Sequence, residues 1–368
     1  MENEMSGSSA TVPVGDGALG RVMDQVGVPL DGLGDFEHLH HAPRTVLTSV
    51  VEPTDRRPAM LETGIKVIDL LAPLVHGGTV RLSGPAGAGI MVTVGECTRR
   101  IAARGAGCTV YIGWQERFLQ VEDVVREWRE QGIDRLIATV LGRDDAHGAA
   151  RQRALETGLT LAGRFADAGR DVLLEIEEAA FLEGDVRQVL DGRYGRGRAG
   201  RITGALLDVW REGTPGDLAT RPVCDTHLVF DAGLAKRYRY PAIDPLRSAS
   251  ILLGGQALSV LHRRVADRAR ALLERSRELL ASVERHGGET LLPEDDEVAQ
   301  RGRRLERFLT QPYFVAEPFT GIPGEDVSLD RMIADVQAII DGRYDAVPEE
   351  AFGYTGTMDQ VIEKARLI

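Results

Sequence analysis

Lysine is nearly missing from this chain. Only Lys66, Lys236 and Lys364 occur, so 41 of the 44 basic residues are arginine. None of the three lies close in sequence to the glycine-rich stretch at 84–91, so no neighbouring ammonium group is at hand there. Cysteine is scarce too. Cys97, Cys108 and Cys224 have no C-x-x-C spacing, and their odd number argues against a disulfide framework and against a structural zinc site. No apolar run reaches the ~20 residues of a membrane span, and the opening MENEMSGSSA is polar and acidic, unlike a signal or transit peptide. These absences predict a cytoplasmic protein with no membrane insertion. The formal net charge of −12 disfavours nonspecific binding to nucleic acid.

At 368 residues and 43% hydrophobic, the chain can bury a substantial core, and its length predicts two domains. Residues 1–10 read as a disordered tail. From Thr11 to about Arg57, glycine, proline and turn residues are dense, which suits short strands and loops. Strands are predicted at TVRLSG (79–84), CTVYIGW (108–114), DRLIATVLG and DVLLEIEE (171–178). Helices are predicted between them, from Ile90 to about Arg104, within VEDVVREWREQG, and from Gly148 to Gly169. Further strands fall within ITGALLDVW and THLVFD. This alternation predicts an α/β fold with a parallel sheet and helices on both faces over residues 11–252. From Leu253 onward no strand pattern persists, so residues 253–368 are predicted to form an all-helical C-terminal domain.

Residues 84–91 read GPAGAGIM. Gly84, Gly87 and Gly89 have the spacing of a phosphate-binding loop, G-x-x-x-x-G-K-[ST], in which backbone N–H groups converge at a helix N-terminus. Ile90 and Met91 stand where the lysine and the magnesium-binding hydroxyl belong, and Pro85 removes one N–H. Losing a transition-state electrostatic group typically costs ~10²–10³ in rate. The same glycines also suit a strand-to-helix turn made for packing alone.

Four longer strings, LETGIKVIDLLAPLVHGG, YPAIDPLRSAS, RRLERFLTQPYFVAEPFTG and GRYDAVPEEAFGYTG, resemble the catalytic beta subunit of the rotary ATP synthase. The resemblance is collinear from about Val12 to Ile368. It implies a RecA-like P-loop NTPase domain followed by a helical domain, and it begins after the small β-barrel with which that family ties six subunits together.

The resemblance also implies site residues. Glu116 matches a glutamate that polarises the attacking water, and Arg117 an arginine that contacts the terminal phosphate, although the pair also reads as an exposed strand end. Glu177 falls at the Walker B aspartate that holds magnesium, with Glu178 beside it. That makes Glu116, Arg117, Glu177 and Glu178 catalytic candidates, with Glu177 a metal candidate. Glu175 interrupts the same apolar run, as either an exposed sheet edge or part of an acidic site whose crowded carboxylates raise one another's pKa. At the base end, Tyr240, Tyr313, Ala316 and Phe319 match an aromatic slot for adenine or another apolar ligand, or else rings that hold the two domains together. By the same resemblance an arginine of the family falls on Ala232, and ETLLPED (289–295) falls on its acidic lever, although the stretch also reads as a solvated acidic turn between two helices.

Together these readings imply a degenerate relative that neither makes nor hydrolyses ATP and acts as a binding or regulatory protein. Mg2+ or nucleotide binding would be weakened, and the partner would be an alpha-like subunit or a second copy. One alternative is a repurposed enzyme using the acidic pocket for acid–base or metal-assisted work on a small, largely apolar substrate. Another is an ATPase completed by a partner subunit.

Overall fold

The computed structural model describes residues 11–36, 39–44, 58–105, 107–114, 121–142, 149–177, 200–210, 224–285 and 291–368. Twelve strands occur among them: β1 (Thr11–Val14), β2 (Val22–Asp24), β3 (His40–Pro43), β4 (Met60–Leu61), β5 (Leu74–Val75), β6 (Thr79–Pro85), β7 (Cys108–Trp114), β8 (Ile137–Gly142), β9 (Val172–Glu177), β10 (Ile202–Trp210), β11 (Thr226–Val229) and β12 (Ala249–Ser250). The helices that matter below are α1 (Lys66–Leu71), α2 (Ile90–Ala103), α3 (Val121–Glu130), α4 (Ala149–Asp167), α5 (Ala232–Lys236), α6 (Ile251–Gly254), α7 (Val260–Arg285) and α8 (Pro293–Phe308), then α9 (Glu317–Thr320), α10 (Leu329–Ile340) and α11 (Met358–Ala365).

Eight strands form one sheet in the order β12-β11-β6-β10-β9-β7-β8-β2. The pairs β10–β9, β9–β7, β7–β8 and β8–β2 are parallel, while β12 adds an antiparallel edge to β11. This is the predicted α/β fold with a mostly parallel sheet, and no strand follows Ser250 among the described residues. By packing, the chain divides into two compact units. One comprises Met1–Pro58, Val75–Leu82 and Met91–Asp225; the other comprises Ala59–Leu74, Ser83–Ile90 and Thr226–Ile368. The sequence division at residue 252 separates strands from helices, whereas the packing division gathers β11, β12 and the glycine-rich loop with the C-terminal helices.

In the first unit the two faces of the sheet differ in chemistry. Val110, Ile112, Leu174 and Ile176 join Ala154, Leu159, Ala162 and Phe165 of α4 in one apolar core. Close approach there depends on Gly158, where an added Cβ would lie 2.3 Å from Ile112 Cδ1. The alternate residues Thr109, Tyr111, Glu175 and Glu177 point the other way and are all buried. On that side α2 presents Thr98, whose hydroxyl lies 2.8 Å from that of Thr109.

The second unit is held by buried polar contacts as well as hydrocarbon. The Gln311 side chain accepts from Lys66 N at 2.9 Å and donates to Gly64 O at 2.8 Å and Glu325 O at 2.6 Å. Lys66, at the start of α1, is fully buried; it donates to Thr355 O at 2.5 Å and sits 3.9 Å over the Phe308 ring. Burial pulls its pKa down to about 7, against the opposing pull of Asp335 and Glu325. Helices α7 and α8 meet closely at Gly302, where a Cβ would fall 2.2 Å from Ser276 Cβ.

Candidate functional site

The glycine-rich loop leaves the end of β6 and enters α2 directly at Ile90. Gly87 and Gly89 have φ of 83° and 90°, a backbone that other residues adopt only under strain. Gly84 has a different reason to be glycine: a Cβ there would lie 2.5 Å from Phe230 Cβ and 3.0 Å from its carbonyl oxygen. Around Gly87 a Cβ would meet nothing within 4 Å, so this corner of the loop is open. Ala88 N donates to Pro85 O at 3.1 Å and closes the turn.

Ile90 and Met91 are only 3% and 9% exposed. The two positions that would carry an ammonium and a hydroxyl are filled with hydrocarbon. The loop thus combines left-handed glycine backbone with hydrocarbon at Ile90 and Met91. A magnesium ion fits less well. Met91 offers it no oxygen, and among the described residues no group of three or more His, Cys, Asp and Glu side chains is placed to hold a metal ion.

Tyr240 belongs to the same unit as the loop, and a Cβ on Gly89 would lie 3.7 Å from Tyr240 Cε1. Its carbonyl accepts from Gln311 N at 3.0 Å, which runs the Tyr240 segment beside the one that carries Tyr313. Ala316 ends a 3₁₀ turn begun after Tyr313 and leads into α9, where Phe319 sits. Exposure separates the rings: Phe319 is 63% exposed and Tyr240 36%, whereas Tyr313 is 6% exposed and belongs to the core. Two of the three aromatic side chains are thus accessible to a ligand.

Among the acidic candidates, Glu116, Arg117 and Glu178 lie outside the described residues. Glu177 is described. The Tyr111 hydroxyl donates to its Oε1 at 2.7 Å, and Trp128 of α3 packs edge-on against the Tyr111 ring at 5.6 Å between centroids. Glu175 does not lie on an exposed edge; β9 runs between β10 and β7, and Glu175 is completely buried. Thr98 Oγ1 donates to its Oε1 at 3.0 Å, while Oε2 has no hydrogen-bond partner among the described residues. Burial raises this carboxyl to about 8, opposed by the Thr98 hydrogen bond. Desolvation, and not the crowding of carboxylates that the sequence suggested, is what holds the proton on at neutral pH. Close by in α2, Arg100 donates to Glu96 at 2.6 Å in a buried pair.

The partners Thr98, Thr109 and Tyr111 were not singled out from sequence. A signal existed for two of them, since the spacing of two in Thr109 and Tyr111 matches that of Glu175 and Glu177 and places all four on one face of parallel neighbours. Thr98 lies on a helix and shares no such period. No helix among the described residues is long and apolar enough to cross a membrane.

A strand that runs straight into a glycine loop and a helix, in a mostly parallel sheet that also carries a strand ending in Glu177 with β10 between the two, is compatible with a nucleotide-binding α/β domain. Residues 64–181, from before α1 to beyond β9, match the family model described as ATP synthase alpha/beta family, nucleotide-binding domain, so this stretch is similar to the nucleotide-binding domain of that family.

Proposed function

We propose that the protein is a non-hydrolysing descendant of a nucleotide site, acting as a binding or regulatory protein that docks on an alpha-like subunit or on a second copy of itself. The observation that carries this reading is the burial of Ile90 and Met91 at the start of α2. A buried isoleucine and a nearly buried methionine give the terminal phosphates neither a cation nor a hydroxyl, the two groups on which phosphoryl transfer at such loops depends. Binding needs less than hydrolysis. The open backbone at Gly87 and Gly89 and the accessible Tyr240 ring beside it still suit a nucleotide or a related ligand. Calorimetric titration with MgATP and a hydrolysis assay on the purified protein test this reading. Micromolar binding without turnover is the expected result; turnover that disappears in Glu116→Gln would overturn it.

A second reading, acid–base chemistry in a repurposed pocket, is favoured by the proton that Glu175 holds at neutral pH, two residues from Glu177 on the same strand face. It predicts a small molecule that co-purifies in native mass spectrometry and whose conversion is abolished by Glu177→Gln.

A further inference from the structure

A cleft of about 750 Å³ opens within the second unit, lined by residues of α5, α7 and α8, by the segment after α5 and by Glu349. Five arginines and five carboxylates line it, and four of the arginines, Arg239, Arg277, Arg303 and Arg307, face three of the carboxylates, Asp244, Glu306 and Glu349.

Two of the carboxylates are fully engaged. Glu349 gives one oxygen to Arg307 Nε at 2.6 Å and the other to Arg303 Nε at 2.8 Å. Both oxygens of Asp244 accept from Arg277 Nη1, at 2.9 and 3.2 Å. The third, Glu306, lies 3.9 Å from Arg239 and 4.0 Å from Arg277, beyond hydrogen-bond distance of either.

Arg239 is thus held by a long ion pair to Glu306 without a hydrogen bond to it. Its Nε is buried with no hydrogen-bond partner among the described residues, and its Nη1 reaches only the Arg237 carbonyl, at 3.2 Å. Burial and the neighbouring charge of Arg307 both pull its pKa down, against Glu306 and Glu349. Asp231 caps α5 through Leu234 N and forms an ion pair with Arg247 at 3.7 Å, and Arg237 and Glu284 complete the charged lining. Among the arginines of the lining, Arg239 alone has a buried nitrogen with no hydrogen-bond partner among the described residues.

We propose that this cleft is a binding site for a small oxyanion ligand, a phosphate or carboxylate compound held by the Arg239 guanidinium with Arg277 and Arg307 beside it. An oxyanion that takes the place of the Glu306 carboxylate would supply the acceptor that Arg239 Nε lacks, and a planar guanidinium recognises such groups through paired N–H donors. The volume lies within the ~300–1,000 Å³ usual for small-molecule sites. Arg239 follows Tyr238 and precedes Tyr240, so a ligand here would bear on the backbone of the residue beside the loop. The proposal does not depend on the loop's own ligand.

The test uses the full chain labelled with 15N, with the arginine Nε–H resonances followed during separate titrations with inorganic phosphate and with succinate. A saturable shift of the Arg239 Nε–H signal is expected with at least one of them. Phosphate alone identifies a phosphate site, and succinate alone a carboxylate site. Arg239→Ala should weaken the affinity by roughly ten-fold or more, and Glu306→Gln, which removes the competing carboxylate, should strengthen it several-fold. The second variant decides the matter if the first fails to fold. Absence of any shift with both anions up to about 10 mM, well above the range of usual small-molecule affinities, overturns the proposal, as does unchanged affinity in Arg239→Ala or in Glu306→Gln.

Discussion

Glu175 shows how a single residue inside a sheet can make stability depend on pH. Its carboxyl titrates near 4.5 when exposed and near 8 when folded, so between those values the folded chain binds the extra proton. Stability from this group is therefore greatest below pH 4.5 and falls as pH rises toward 8, by ~1.4 kcal/mol per pH unit while the difference lasts. Glu175→Gln keeps the shape and an acceptor for Thr98 but cannot ionise. It should leave the melting temperature almost unchanged at pH 5 and raise it at pH 8 by an amount worth a few kcal/mol, as thermal denaturation at the two pH values will show. At the loop, restoring the missing pair by Ile90→Lys with Met91→Thr should give a protein that is less stable alone, because it buries a charge where Ile90 was 3% exposed. MgATP should then bind at least about ten-fold tighter than to the parent and raise the melting temperature, read by calorimetry and thermal shift.

Helices and strands were easier to read than partners. The strand at 108–114 and the helix beginning at Ile90 stand where the residue patterns put them, because alternation and 3.6-residue periodicity follow from which face is buried. The glycine turn likewise stands between a strand and a helix where its residues put it. The environment of Glu175 was not legible in this way. Whether an acidic residue in an apolar run is edge or core depends on which strands flank it, and order in a sheet is a property of the whole chain. Nor was the cleft, whose residues come from positions 231 to 349 and share no motif. At this scale the glycines give the cleanest test. Gly158→Ala would press a methyl group into Ile112 on the α4 side of the sheet, and overpacking of this kind costs ~1–3 kcal/mol. Gly87→Ala meets no neighbour but must hold φ at 83°, so its cost should be ~1–2 kcal/mol and come from the backbone alone. Urea denaturation of the two variants should show both losses without a change in slope.

Over the whole molecule, the two units carry buried titratable groups of opposite sign. Lys66 titrates near 7 when folded and near 10.5 when exposed, so between these values the unfolded chain binds the extra proton and stability rises with pH. Glu175 acts the other way from 4.5 to 8 in the other unit. Scanning calorimetry between pH 5 and 10 should therefore find a melting transition that falls as pH approaches 8 and is flattened by Glu175→Gln. It should also find one that rises from pH 7 to 10 and is flattened by Lys66→Met; if the units melt together, a single transition should pass through a minimum near pH 7–8.

The sheet of the first unit is closed by hydrocarbon under α4, whereas α2, which also buries Val94, Cys97 and Ile101, brings Thr98 against the Thr109 hydroxyl and the Glu175 carboxyl. Water admitted beneath α4 finds nothing to bond to, whereas water admitted beneath α2 finds the idle oxygen of Glu175 and two threonines. In deuterium, then, the amides along α2 should exchange through small openings at a rate that tracks local hydration, while those along α4 should wait for the unit to come apart.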